Sequence, residues 1–119
     1  TLGGNARGIT IQYSLEEVNL NIDLAIPCGL IITELVSNAI KHAFNEIKDE
    51  KKILITLERN EKIKISVKDN GSGLPDDTGI DNSESLGLVL VPMLAKQING
   101  DIRVLNNSGT EFILTFPDV

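Results

Sequence analysis

Tryptophan is absent from this 119-residue sequence, and aromatic side chains make up only 3% of it. With so few rings, the 41% hydrophobic content has to fill a core with Ile, Leu and Val. A single cysteine, Cys28, excludes an internal disulfide framework and suits a reducing compartment. Set among Pro27, Gly29 and Leu30, it reads as a small buried side chain rather than a nucleophile. One His and one Cys do not make a zinc site of the usual ligand count. Positive charge is scarce too: 11 Lys and Arg against 17 Asp and Glu leave a net charge of −6. That argues against a nucleic-acid or anionic-membrane surface, but not against one small anion held by local groups. The longest apolar run, near residues 24–36, is interrupted by Pro27, Gly29, Thr33 and Glu34, so no membrane-spanning segment is expected. There is no signal-peptide pattern. The chain opens on Thr1 without Met, as a piece of a longer protein would.

The length is that of one domain, residues 1–119, and neither a repeat nor a low-complexity tract divides it. Residues 1–8, with Gly3, Gly4 and Gly8, read as a loop. Ile9, Ile11 and Tyr13 alternate with polar residues and predict a strand; Val18, Leu20 and Ile22 suggest a second, short one. Asp23 is a good N-cap for a helix that carries Pro27 near its first turn and runs to about Phe44. The spacing then predicts an antiparallel pair, Lys52 to Glu58 and Lys62 to Lys68, joined at Arg59-Asn60-Glu61. Residues 70–86 are rich in Gly, Asp and Ser and form a loop long enough to favour a functional lid. Leu86 to Ile98 returns to helical spacing, with Pro92 delaying or kinking the helix and Gly100 ending it. A hairpin follows, with Ile102 and Val104 before the turn at residues 106–109 and Phe112, Leu114 and Phe116 after it. The fold class expected is α+β, a two-layer sandwich with helices on one face of a mixed, mostly antiparallel sheet.

Two stretches point to chemistry. On a helical wheel of about 100° per residue, Glu34 at zero places Asn38 near about 40° and Lys41 near about −20°. An acid, an amide and an ammonium thus form a thin polar line, flanked by Leu30 and Ile31, with Ile32, Val36, Ala39, Ile40 and Ala43 on the other side. A solvated helix face is broader than this; a narrow strip suits the wall of a polar pocket. In the strand from Lys62, Ile63, Ile65 and Val67 share one face, and Asp69 has their parity. A carboxylate aimed at the core is costly unless donors meet it. Thr110 likewise shares the inward parity of Phe112, Leu114 and Phe116.

The segment Glu34 to Phe44, ending Lys-His-Ala-Phe, together with Asp69-Asn70-Gly71-Ser72-Gly73, Ser85-Leu86-Gly87-Leu88 and Gly109-Thr110, resembles the motif series of the ATP-binding fold shared by gyrase, heat-shock chaperones, histidine kinases and mismatch-repair proteins, the Bergerat fold. The resemblance spans nearly the whole chain. It is closest to the catalytic domain of sensor histidine kinases, in the subgroup with a short lid and an asparagine box ending Lys-His-Ala-Phe.

The resemblance implies ATP and Mg²⁺ as cofactors. Asp69 would accept a hydrogen bond from the exocyclic amine of adenine, supported by Thr110, with Gly71 and Gly73 leaving room for the base. Asn38 would contribute an oxygen to Mg²⁺, the phosphates and waters completing its shell. Lys41 would pair with phosphate, His42 would lie beside the nucleotide, and Gly87 and Leu88 would offer backbone N–H groups to phosphate oxygens. Glu34 is the candidate base; orienting Asn38 is the other role open to it.

The implied activity is that of a protein histidine kinase, passing the γ-phosphate to a histidine on its own dimerisation domain, which this sequence lacks. The fragment alone is then expected to bind ATP with little autophosphorylation. A response regulator is the implied downstream partner, with no nucleic acid and no membrane contact by this domain, and a cytoplasmic location. The sequence departs from many relatives in lacking paired lid phenylalanines and any Lys or Arg between Asn70 and Leu88. Other readings stay open: an anti-sigma-factor-type serine kinase, an ATP-hydrolysing clamp with Glu34 activating water, and a nucleotide-binding module without catalysis.

Overall fold

The computed structural model describes residues 8–40, 51–71, 90–106 and 109–117. The described elements are β1 (Ile9–Leu15), α1 (Ile22–Asn38), β2 (Lys51–Arg59), β3 (Lys62–Asp69), α2 (Leu90–Gln97), β4 (Asp101–Asn106) and β5 (Thr110–Pro117). One sheet holds all five strands in the order β1-β2-β3-β5-β4. The β1–β2 pair is parallel, which obliges the chain to cross over between them, and α1 lies in that crossover. The remaining pairs are antiparallel. This is the α+β arrangement expected from the sequence.

Strand parity sets the core. Ile53 and Ile55 of β2, Ile63, Ile65 and Val67 of β3, and Phe112, Leu114 and Phe116 of β5 are buried on one face. Against them pack Ile31, Leu35 and Ala39 from the first helix and its end, and Val91, Ala95 and Ile98 from the second helix and its end. Lys62, Lys64, Ser66 and Lys68 occupy the opposite parity of β3. Ser66 is nevertheless buried, because its hydroxyl hydrogen-bonds that of Thr56, its register partner across β2.

Four local expectations change. The α1 N-cap is Asn21, not Asp23: its side-chain oxygen accepts from the Leu24 N–H at 3.2 Å, and Asp23 lies within the first turn. An earlier cap leaves no room for the short strand through Val18, Leu20 and Ile22. Ile22 opens the helix, while Val18 and Leu20 pack half-buried against the core. Starting earlier also leaves Pro27 deeper in α1 than the first turn. Within the described residues the second helix is α2 from Leu90, with Pro92 inside it. That helix ends with Asn99 in the left-handed conformation, φ 55°. The Gly100 N–H reaches the Ala95 carbonyl at 2.8 Å and the Asn99 N–H reaches that of Lys96 at 3.1 Å, a Schellman closure. Gly100 serves close packing instead: a Cβ there would lie 3.1 Å from Leu114 Cδ1 and 3.2 Å from two carbonyl oxygens. The continuation of the first helix to Phe44, the lid and the start of the second helix at Leu86 lie outside the described residues.

Candidate functional site

The parallel crossover decides where the first helix ends. It leaves from the far end of β1 and must return to where β2 begins, so its C-terminal turn, with Glu34 and Asn38, comes back to that edge of the sheet. Asp69 ends β3 at the same edge, opposite Ile53 near the start of β2. Thr110 opens β5 there, one step past the Lys68–Glu111 pair. Topology thus gathers Asn38, Asp69 and Thr110, far apart in sequence, at one end of the molecule. All three are buried, at 8%, 5% and 3% exposure.

Asp69 meets the donors that its inward position demands. Its Oδ1 accepts from the Gly71 N–H at 2.9 Å and from the Thr110 N–H at 3.2 Å. Among the described residues no hydrogen bond falls on Oδ2, so one oxygen is anchored and the other is open to a ligand. Burial pushes the carboxyl above its usual range; the two backbone N–H groups pull it partly back. Gly109 makes the Thr110 contact possible. It adopts φ 124°, and a Cβ there would lie 2.2 Å from the Asp69 carbonyl oxygen, so the two strand ends approach as closely as only glycine allows.

Asn38 shows the complementary feature. Among the described residues its Nδ2 is buried without a hydrogen-bond partner. Such a group costs about 1–3 kcal/mol unless something binds it. Turning the amide about its last bond would present the oxygen at the same place, so this side chain can serve either a donor or a cation. Glu34 lies one turn before it and is half-buried. Among the described residues no group of three or more His, Cys, Asp or Glu could hold a metal by itself. A cation bound through Asn38 would therefore have to bring ligands with it.

Gly71 is half-buried in the turn after Asp69. Lys41, His42, Gly73, Gly87 and Leu88 lie outside the described residues. Cys28 is buried, and burial pushes its thiol up to about 11, so it stays protonated and unreactive near neutral pH, as the sequence suggests. Sequence reasoning passed over Asn70, whose side chain proves to be part of the local architecture: Oδ1 accepts from the Lys52 N–H at 2.7 Å. Its signal was an Asn directly after an inward Asp at a strand end.

A separate groove of about 590 Å³ runs between the first helix and the edge strand β1, lined among others by Ile11, Tyr13, Leu15, Ile32, Val36 and Ile40. Neither Asp69, Asn38 nor Thr110 lines it, and its walls are mainly aliphatic. It lacks the convergent polar groups of a nucleotide site. No helix among the described residues is long and apolar enough to cross a membrane.

A mixed sheet with helices on one face, an inward carboxylate at a strand end and an asparagine with a buried amide nitrogen on the adjoining helix make an α+β domain with a polar site at one end of its sheet. The profile of the family described as histidine kinase-, DNA gyrase B- and HSP90-like ATPase matches residues 24–119, and the chain belongs to that family. It is an ATP-binding domain on that ground. It is 35% identical over 102 residues to the sensor histidine kinase PdtaS of Mycobacterium tuberculosis, an alignment that covers 82% of this chain and 20% of PdtaS. It is 32% identical over 111 residues to the nitrate/nitrite sensor protein NarX of Escherichia coli, covering 91% of this chain and 17% of NarX. The chain thus spans about a fifth of the length of these relatives. In structure it is similar to the blue-light-activated histidine kinase EL346 of Erythrobacter litoralis, with a TM-score of 0.85 and 24% identity, covering 98% of this chain and 37% of that one. That likeness establishes the fold.

Proposed function

We propose that this chain is the catalytic domain of a two-component sensor histidine kinase, and that Asp69 is its adenine-reading residue. The observation that carries the reading is the division of labour within one carboxylate. Oδ1 is held by two backbone N–H groups, and Oδ2 is left to accept the exocyclic amine of adenine. Guanine presents a carbonyl at that position, and two acceptors facing each other repel. The site therefore selects ATP over GTP.

Asn38 would hold Mg²⁺ through its amide oxygen, with the triphosphate and water supplying the other ligands. Bound there, Mg²⁺ would supply neutralisation of phosphate charge. The amide nitrogen, buried and without a partner among the described residues, supports this assignment, since turning the amide puts the oxygen in its place. Lys41 would pair with phosphate and His42 would flank the nucleotide. Gly71 and Gly73 would make room for the base, and Gly87 and Leu88 would donate backbone N–H groups to phosphate oxygens. Thr110 supports the adenine edge through its N–H on Asp69.

The acceptor is a histidine on the dimerisation domain of the parent protein. An imidazole nitrogen attacks the γ-phosphorus, a P–N bond forms, the bond to the β-phosphate oxygen breaks, and ADP leaves. Glu34, one turn from Asn38, is the candidate base for the imidazole proton. The phosphoryl group then passes to a response regulator. Residues 1–119 act as one domain in this scheme.

Calorimetric titration with ATP and GTP, each with and without Mg²⁺, tests the reading. The expected result is Mg²⁺-strengthened binding of ATP and much weaker binding of GTP. Equal affinity for the two nucleotides would refute the role given to Asp69.

A further inference from the structure

We infer that Asn70 is a positioning residue for Asp69, and that it works by replacing a backbone carbonyl with its own side-chain oxygen. This rests on the adenine-site reading and adds a residue to it. The β2–β3 register pairs Ile53 with Asp69, so the next pair along the ladder is Lys52 with Asn70. In a hydrogen-bonded antiparallel pair, each residue's N–H meets the other's backbone carbonyl. Here only half of that exchange uses backbone. The Asn70 N–H donates to the Lys52 carbonyl at 3.2 Å, but the Lys52 N–H donates to Asn70 Oδ1 at 2.7 Å.

This substitution has a geometric consequence. The side chain completes the last rung of the ladder, so the Asn70 carbonyl need not stay in the plane of the sheet. The backbone is free to turn at the next peptide, and it does: the Gly71 N–H folds back to Asp69 Oδ1 at 2.9 Å. Had the Asn70 carbonyl made the rung itself, the strand would continue and carry Gly71 away from the carboxylate. Asn has the reach for this and Gln overshoots; Ala has no acceptor to offer. The rung and the turn together fix the rotation of the Asp69 carboxylate, and so the direction of Oδ2.

The test uses Asn70→Ala and Asn70→Asp, the second keeping an acceptor of the same length. Amide hydrogen exchange of Gly71 and Lys52, read by NMR without nucleotide, reports the local geometry. ATP affinity at pH 8 reports the consequence. In Asn70→Ala the Gly71 amide should lose protection while Lys52, able to take the backbone carbonyl, keeps it. ATP binding should weaken by about tenfold or more, the worth of one hydrogen bond to a charged acceptor. Asn70→Asp should restore Gly71 protection and most of the affinity. Unchanged Gly71 exchange in Asn70→Ala overturns the inference, and so does altered exchange with unchanged ATP affinity. Asp69→Asn, measured alongside, separates the two ideas. If it too binds ATP normally, the adenine assignment has failed. If it loses ATP while Asn70→Ala does not, only the role of Asn70 has failed.

Discussion

Replacing Asp69 by Asn should separate binding from folding. The variant keeps an oxygen where Oδ1 stands, so the N–H groups of Gly71 and Thr110 at 2.9 and 3.2 Å keep their acceptor. It places an NH₂ group where Oδ2 was, and that group faces the adenine amine donor to donor. One hydrogen bond to a charged acceptor is lost, about 1.5–3 kcal/mol, and two donors are left without acceptors at a buried position, a further penalty of about 1 kcal/mol or more. The expected loss is about 3–4 kcal/mol, or roughly 10²–10³-fold in ATP affinity. GTP should lose less or gain, because its carbonyl now meets a donor.

Stability should move the other way. Burial raises the Asp69 pKa above its unfolded value of 3.8. Between the unfolded and folded pKa values the native state holds the extra proton, so the contribution of this group falls as pH rises through that window. Above that window the desolvated carboxylate weakens the empty domain, and Asn removes the cost. Calorimetric titration with both nucleotides, and thermal melts without them, check both halves. ATP affinity within threefold of wild type would refute the reasoning. So would a large drop in melting temperature, which would mean that the carboxylate is structural.

Three further outcomes are expected. Asn38→Ala should abolish most of the Mg²⁺ enhancement of ATP binding and leave metal-free binding nearly unchanged; equal metal responses in the two proteins would count against Asn38 as the ligand. Gly109→Ala puts a Cβ 2.2 Å from the Asp69 carbonyl oxygen at φ 124°, so urea unfolding should show a loss of about 2–4 kcal/mol, with ATP binding impaired in the protein that remains folded. Asn21→Ala should cost about 1 kcal/mol by the same assay, while Asp23→Ala costs only a few tenths, because Asn21 accepts the Leu24 N–H and Asp23 only complements the helix dipole.

Much of this molecule is legible in one dimension because its signals are local and periodic. Alternation along Lys62–Asp69 placed Ile63, Ile65 and Val67 in the core and turned Asp69 the same way. The same parity put Thr110 inward with Phe112, Leu114 and Phe116. The motif series resembles that of the ATP-binding family to which the chain belongs. Helix ends read less well, since several capping residues cluster near each one. Asn21 competes with Asp23, Asn99 with Gly100, and backbone geometry alone chooses between them.

Other properties exist only in three dimensions. Nothing in the sequence says that β1 runs parallel to β2, yet that pairing is what returns Asn38 to the same edge as Asp69. Nothing in it says that Gly109 will press against the Asp69 carbonyl, or that the side chain of Asn70 will stand in for a rung of the sheet. Residue identity decided which groups face inward, because burial follows parity along a strand. Tertiary pairing decided which of them meet, because strand order and register bring together residues about forty positions apart.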